Sequence, residues 1–371
     1  MQSFSNMQYC TVLLLLCSFF AFLHDASAAQ QASGQQHAEL NRAGVCYGTF
    51  ADNLPSPQEA VSLIQNLQAN RIRLYGPDFN VLQALKNTSI EVVLGVPNYQ
   101  LQSIASGQDK ANQWIQNNVQ NFPDINFRYI VVGNGVPTQD QHSIEYREFL
   151  LTAMKNIQNA VSSCGLQNKI KVSTALDHSV ILKQIHPPSN AEFDDKYFIG
   201  DIIQLLKNNN APFLVNIHPY YSYAFNKPEI PLELNKDSQA SGDIRLRYAY
   251  FRSPSVLVKD GQLGYKNAFD AMVDAVYSAL EKADASSLDV VVSETGWPTA
   301  GGPQATAYNA RLYNNNLIKR IKSKGTPKRP KKPVETYIYN LFDENQRSEM
   351  ERHWGIFEAN KQANYPITFA S

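Results

Sequence analysis

The segment LDVVVSETGWP, Leu288 to Pro298, carries an apolar, β-branched run straight into a carboxylate, Glu294, with Trp297 three residues on. A charge that ends such a run is costly unless it is paired or opens into a solvated cleft. An acid beside aromatic faces suits sugar chemistry, because pyranose rings stack on indole and phenol while a carboxylate attacks or stabilises the anomeric carbon. Other apolar runs end in groups of the same character: Tyr75, Tyr99, Tyr220 and Tyr221 offer ring faces, and Asn134, Asn216 and Asn345 offer hydrogen bonds to hydroxyls. Carbohydrate is the ligand class these residues fit. The histidines are scattered with no HExxH motif or cysteine pair, and there is no GxSxG elbow. No metal, cofactor or serine triad is expected.

The elements that must position these groups recur along the chain. Apolar runs occupy 43–48, 71–76, 91–97, 127–134, 169–176, 213–220, 288–295 and 335–344. Helical spacing fills the gaps, most clearly at 57–70, 143–165 and 267–283. Continuous apolar strands alternating with helices predict a parallel sheet covered by helices. Eight such units predict an α/β fold of the (β/α)8 barrel type, and no Gly-rich phosphate loop follows the first strand. The polar, aromatic stretch 221–265 reads as a small elaboration of the loop after the sixth strand. In a barrel of this kind the chemistry sits at the C-terminal strand ends, which is where Glu294 and its companions fall.

The chain has 371 residues, 43% of them hydrophobic, with 33 basic and 33 acidic side chains. Val12 to Leu23 is an apolar run too short to span a membrane comfortably, and Ala26-Ser27-Ala28-Ala29 offers small residues for cleavage. The reading is a signal peptide over 1–29, a short segment over 30–42 and one catalytic domain over 43–371. Loss of the leader removes one acid, Asp25, and leaves a net charge of about +1. Nearly neutral charge argues against nucleic acid as a partner. The one basic run, Lys322 to Pro333, is rich in proline and reads as a solvated loop. Cys46 and Cys164 remain after cleavage, either bridged or free, and Asn87-Thr88-Ser89 is a glycosylation sequon. No membrane anchor or vacuolar extension is apparent, so a secreted, extracellular, apoplastic or wall-bound monomer is expected in preference to a vacuolar one.

VVVSETGWPTAGG closely resembles the nucleophile motif of the plant β-1,3-glucanases, glycoside hydrolase family 17. The resemblance continues through GVCYG, RIRLYG, VVLGVPN, RYIVVGN, IKVSTALD, NIHPYYSY and ETYIYNLFDENQR, and so covers essentially the whole chain after the leader. It implies a (β/α)8 barrel that cleaves internal β-1,3 linkages of glucans such as callose or fungal wall glucan, with retention at the anomeric carbon. It also implies that Glu294 is the nucleophile, and that Tyr75, Asn134, Tyr220 and Trp297 line sugar subsites. Glu344, Arg347 and Glu351 match a polar cluster near the cleft, where Lys is usual at the position of Arg347. Tyr is common at the position of His218, and Asp at that of Gly76.

One departure bears on the chemistry. The run YIVVGNGVPT, Tyr129 to Thr138, ends in Gly-Asn-Gly. In the family the corresponding strand ends in Gly-Asn-Glu, and that Glu is the general acid/base, so this chain has Gly135 in its place. Three readings follow: an ordinary glucanase with a one-base Glu-to-Gly change, a weakly active or inactive glucan-binding homologue, and an enzyme with a substitute acid such as Asp140 or with transglycosylating activity.

Overall fold

The computed structural model describes residues 42–136, 145–231 and 243–370. The leader, most of the segment before residue 43, and Asp140 lie outside the described residues. Eight parallel strands close into a barrel: β1 (Ala43–Tyr47), β2 (Arg71–Leu74), β3 (Glu91–Val96), β4 (Asn126–Asn134), β5 (Lys171–Asp177), β6 (Phe213–Asn216), β7 (Val290–Thr295) and β8 (Glu335–Ile338). Closure is direct, since Val45 of β1 is in register with Ile72 of β2 on one side and Ile338 of β8 on the other. Each of the eight apolar runs holds one strand, with β4 starting one residue before its run and β5 ending one residue after, so the expected fold class is the observed one.

The helices cover the barrel because each turns an apolar stripe inward. Pro57–Asn66 starts at a capping box, with Ser56 and Glu59 satisfying each other's backbone N–H groups, and buries Ala60, Val61 and Ile64. Arg147–Ser163 buries Leu150, Ala153, Met154, Ile157 and Val161. Ala268–Lys282 is buried along its whole first three turns, because it packs on the barrel and also under the 188–193 segment. Each fully buried large apolar side chain contributes about 1.5–3 kcal/mol.

The loop after β6 carries the expected elaboration. It holds the helices Pro219–Ala224 and Ile244–Ala249 and a hairpin of Val258–Asp260 with Leu263–Tyr265. The basic loop is less solvated than its composition suggests: Lys328 and Arg329 both pair with Glu281, and Lys332 with Asp289. Cys46 and Cys164 are free thiols, which resolves the alternatives left by the sequence. Cys46 is buried in β1 with its Sγ toward the Ser293 carbonyl, and burial pushes its pKa up to about 12. Among the described residues no helix is long and apolar enough to cross a membrane.

Candidate active site

Along β2 the side chains alternate: Ile72 and Leu74 pack into the core, while Arg71 and Arg73 turn into the barrel. Arg73 is the hub of the mouth. Its Nη1 donates to Glu294 Oε1 at 2.9 Å and to the Ser293 carbonyl at 2.8 Å, and its Nη2 donates to Asn134 Oδ1 at 2.8 Å. The guanidinium also lies over the Tyr75 ring, 4.8 Å from its centroid. One buried cation thus aligns groups from β2, β4 and β7.

Asn216, the last residue of β6, ties in the remaining side. Its Nδ2 donates to Asn134 Oδ1 at 3.0 Å and to Asp177 Oδ1 at 2.9 Å, and its Oδ1 accepts from Ser293 Oγ at 2.8 Å. Asn98, just beyond β3, clamps the backbone of Asn134 from both directions. Its Oδ1 accepts from the Asn134 N–H at 2.8 Å and its Nδ2 donates to the Asn134 carbonyl at 2.9 Å.

Both strands that carry the expected catalytic positions lose regular register as they surface. β7 shifts between Val292 and Glu294 against β6, and β4 shifts between Val131 and Asn134 against β5. Such irregularities re-aim side chains at barrel rims. The backbone geometry bears on glycine at two places here. An added Cβ at Gly296 would collide with the Tyr339 carbonyl oxygen, so the turn after Glu294 tolerates no side chain. Gly135 has φ +66°, a left-handed conformation that side-chain-bearing residues adopt at a cost. Its N–H donates to the Ala175 carbonyl at 2.9 Å, which fixes the turn against β5.

The strand ends enclose a cavity of about 550 Å³. Tyr75, Asn134, Gly135, Glu294, Arg347 and Glu351, all singled out from the sequence, line it. Five others do not: Tyr99 and Asn345 are exposed outside it, and three residues are buried behind it. Tyr220 and Trp297 are fully buried and pack edge-on at 5.0 Å between centroids, with the Trp297 Nε1–H given to the Gln304 carbonyl. They form an aromatic wall behind the cavity, where burial of their large apolar faces supports His218 and Tyr221. Glu344 is buried as well. Its Oε2 accepts from Tyr339 Oη at 2.8 Å and Arg347 Nε at 3.1 Å, and its Oε1 from the Phe50 N–H at 2.6 Å. That carboxylate holds the rim together. Glu351 Oε1 accepts from Tyr221 Oη at 2.8 Å at the far edge of the same wall.

The electrostatics separate the titratable groups. Burial pushes Asp177 up to about 6 and the charge of Glu294 adds to this, against Asn216, Arg73 and Lys227. Burial holds His218 below its ordinary value although Glu294 and Glu351 oppose that, and its Nε2 stands 4.0 Å from Glu294 Oε2. Burial lowers His178 to about 4. Among the described residues no cluster of His, Cys, Asp or Glu is arranged to hold a metal ion.

Sequence reading alone passed over Arg73, and it places Asn98 and Asp177 at strand exits without giving either a role. The signal for Arg73 was available: a charged residue at period two inside an apolar strand must face a polar partner within the barrel. Asp177 and Asn98 each end a strand run, as the other rim residues do.

The chain is similar to proteins of one kind throughout. The family model for glycosyl hydrolases family 17 matches residues 43–369. A glucan endo-1,3-beta-glucosidase basic isoform of Phaseolus vulgaris is 45% identical over 332 residues, spanning 88% of this chain and 90% of the relative. A glucan endo-1,3-beta-glucosidase of Vitis vinifera is 45% identical over 333 residues, spanning 88% and 91%. Among solved structures, a β-1,3-glucanase and allergen of Cryptomeria japonica pollen superposes with a TM-score of 0.81 at 41% identity, over 88% of this chain and 98% of the other. One of two plant β-glucan endohydrolases with distinct substrate specificities gives 0.79 at 39% identity, over 88% and 99%. The chain belongs to family 17 of the glycosyl hydrolases and is an O-glycosyl hydrolase.

Proposed function

We propose that this chain is a secreted retaining endo-1,3-β-glucanase whose hydrolysis is impaired at the protonation step. The observation that carries the reading is the fixed carboxylate of Glu294, held by Arg73 on the cavity wall while the turn at Gly135 has no side chain to offer. The names of the plant relatives support a β-1,3-glucan as substrate, the linkage class to which callose and fungal wall glucan belong. Glu294 acts as nucleophile, attacking the anomeric carbon to give a glycosyl-enzyme that water later releases. Tyr75, Asn134, Arg347 and Glu351 contact the sugar, with Tyr220, Trp297 and Glu344 supporting them from behind.

Protonation of the leaving oxygen is worth roughly 10² to 10⁴ in rate, or about 3–5.5 kcal/mol of barrier. Gly135 supplies none of it. That same lack favours a second reading, a glucan-binding homologue with little turnover. Reducing-end release from a soluble β-1,3-glucan separates the two when the parent is compared with Gly135→Glu and Glu294→Gln. An impaired enzyme gains a hundredfold or more with Gly135→Glu and loses its residual rate with Glu294→Gln. A pure binder shows no rate in any of the three while still retaining glucan. The left-handed φ of Gly135 means that Gly135→Glu also costs roughly 1–2 kcal/mol of stability.

The leader at 1–29 supports an extracellular, apoplastic or wall location for a monomeric chain. Asn87, exposed in a turn where the Thr88 hydroxyl donates to the Leu85 carbonyl, is accessible to glycosylation.

A further inference from the structure

Resting on Glu294 as the nucleophile, we propose that Asp177, at the end of β5, takes over the proton transfers that Gly135 cannot perform. β5 is the neighbour of β4, and the Gly135 N–H is bonded to Ala175, two residues before Asp177. Asp177 therefore surfaces directly beside the turn that lacks a carboxylate. Asp177 and Glu294 are both in register with Asn216, one from each side. The two acids stand two strands apart at one level of the barrel, roughly 9–10 Å between their backbones by ordinary strand spacing. Both side chains line the same cavity, and Asn216 and Arg73 link them, Asn216 bonded to Asp177 and Arg73 to both Asn216 and Glu294.

The other carboxylates near the mouth are occupied. Glu344 is enclosed by three donors, and Glu351 is tied to Tyr221 at the far edge. Asp177 takes one bond from Asn216 on Oδ1, and the described residues give Oδ2 no donor. The charged groups facing it are Glu294 on β7, Arg73 on β2 and Lys227 in the elaboration, with His178 next to it. Burial and the Glu294 charge raise its pKa to about 6, which keeps a proton available in mildly acidic solution. Neighbouring His178, held down to about 4, is neutral over that range and does not compete as a cation.

The chemistry then balances without any further reactant than water. Glu294 attacks the anomeric carbon, the glycosidic C–O bond breaks with its electron pair on the departing oxygen, and that oxygen takes the proton of Asp177. Water next attacks the same carbon, the Asp177 carboxylate takes its proton, and the bond to Glu294 breaks. Both acids return to their starting states.

Two substrates distinguish failure of this proposal from failure of the nucleophile reading. A 2,4-dinitrophenyl β-glucan oligosaccharide needs no acid to depart, whereas soluble β-1,3-glucan does. Asp177→Asn is expected to release dinitrophenol in the first turnover as fast as the parent, to cut glucan at least a hundredfold slower, and to lose the fall in kcat above pH 6. Azide, which needs no base, should speed its turnover of the activated donor and not that of the parent. Glucan cleavage at the parental rate and pH profile in Asp177→Asn would overturn the proposal and leave Glu294 standing. So would a parent that opens the activated donor but no glucan. A parent that opens neither would remove the nucleophile reading and this proposal with it.

Discussion

Arg71 and Arg73 leave the same strand on the same side, two residues apart, and serve two different clusters. At the floor of the barrel Arg71 and Arg128 face Glu335, whose Oε1 accepts from Arg128 Nε at 3.1 Å and Tyr337 Oη at 2.7 Å, and whose Oε2 accepts from Arg128 Nη2 at 2.8 Å and Tyr129 Oη at 3.2 Å. At the mouth Arg73 alone is shared among Glu294, Asn134 and Asn216. Burial opposes ionisation at the floor too, but two guanidiniums and four hydrogen bonds outweigh it, and the pKa of Glu335 falls below its ordinary value. At the mouth Asp177 has one amide donor, faces a second carboxylate and rises to about 6. The difference lies in the number of donors per carboxylate. A saturated acid is locked in one charge state and serves the fold; a half-paired one can exchange a proton in the working pH range.

The comparison is tested most severely at Glu294. Replacement by Gln should lower any glucan cleavage by about 10⁴-fold or more, the scale of losing a nucleophile, while Arg73 keeps a neutral acceptor in place of its ion pair. A residual rate within tenfold of the parent would move the nucleophile elsewhere. At the floor the effect falls on stability. Glu335→Ala takes a buried carboxylate from the buried Arg71 and the half-buried Arg128, leaves both with Glu91, and should cost about 3 kcal/mol in urea unfolding. Because the folded-state pKa of Glu335 is depressed, its contribution is present above the unfolded carboxylate value and is lost as pH falls through the folded one. The variant and the parent should therefore converge in stability toward strongly acidic pH.

Asp177 has the opposite sign. Its folded pKa lies above its unfolded one, so the stability it contributes is complete below about pH 4 and is lost as pH rises through 6. Asp177→Asn should match the parent at pH 3.5 and exceed it at pH 7.5 by about 1–2 kcal/mol, a figure reduced because the carboxyl faces an open cavity. Equal stability at both values would show that folding leaves the Asp177 carboxyl unshifted, and a variant less stable than the parent at pH 7.5 would show that Asp177 is paired as Glu335 is. The smallest effect is expected at the rim. Arg347→Lys keeps the charge beside Glu344 but loses the guanidinium stack on Phe50, and should shift stability by about 0.5 kcal/mol or less.

Much of this was legible in the sequence where one strand suffices to define a feature. Each of the eight apolar runs marks a barrel strand, and Glu294 and Gly135 are visible within one residue of the ends of two of them. What escaped depends on contacts across the closed sheet. Arg73 meets Glu294 at a separation of 221 residues, three strands around the barrel, and no local pattern encodes that pairing. Asp177 reads as one polar strand end among several until the register with Asn216 sets it level with Glu294. Exposure is not written in residue type either. Tyr220 and Trp297 carry rings suited to sugar stacking, yet both are buried edge-on against each other behind the cavity.

The central claim is that this chain retains a working nucleophile at Glu294 despite the glycine at the acid position. The most direct measurement is to incubate the protein with a 2,4-dinitrophenyl 2-deoxy-2-fluoro β-1,3-glucan disaccharide, which needs no acid to depart and whose fluorine slows release, and to locate the bound sugar by peptide mass spectrometry. The account predicts one sugar per chain, on the peptide that contains Glu294, and none in Glu294→Gln. Failure to label the protein, or a sugar attached to a different carboxylate, would contradict it.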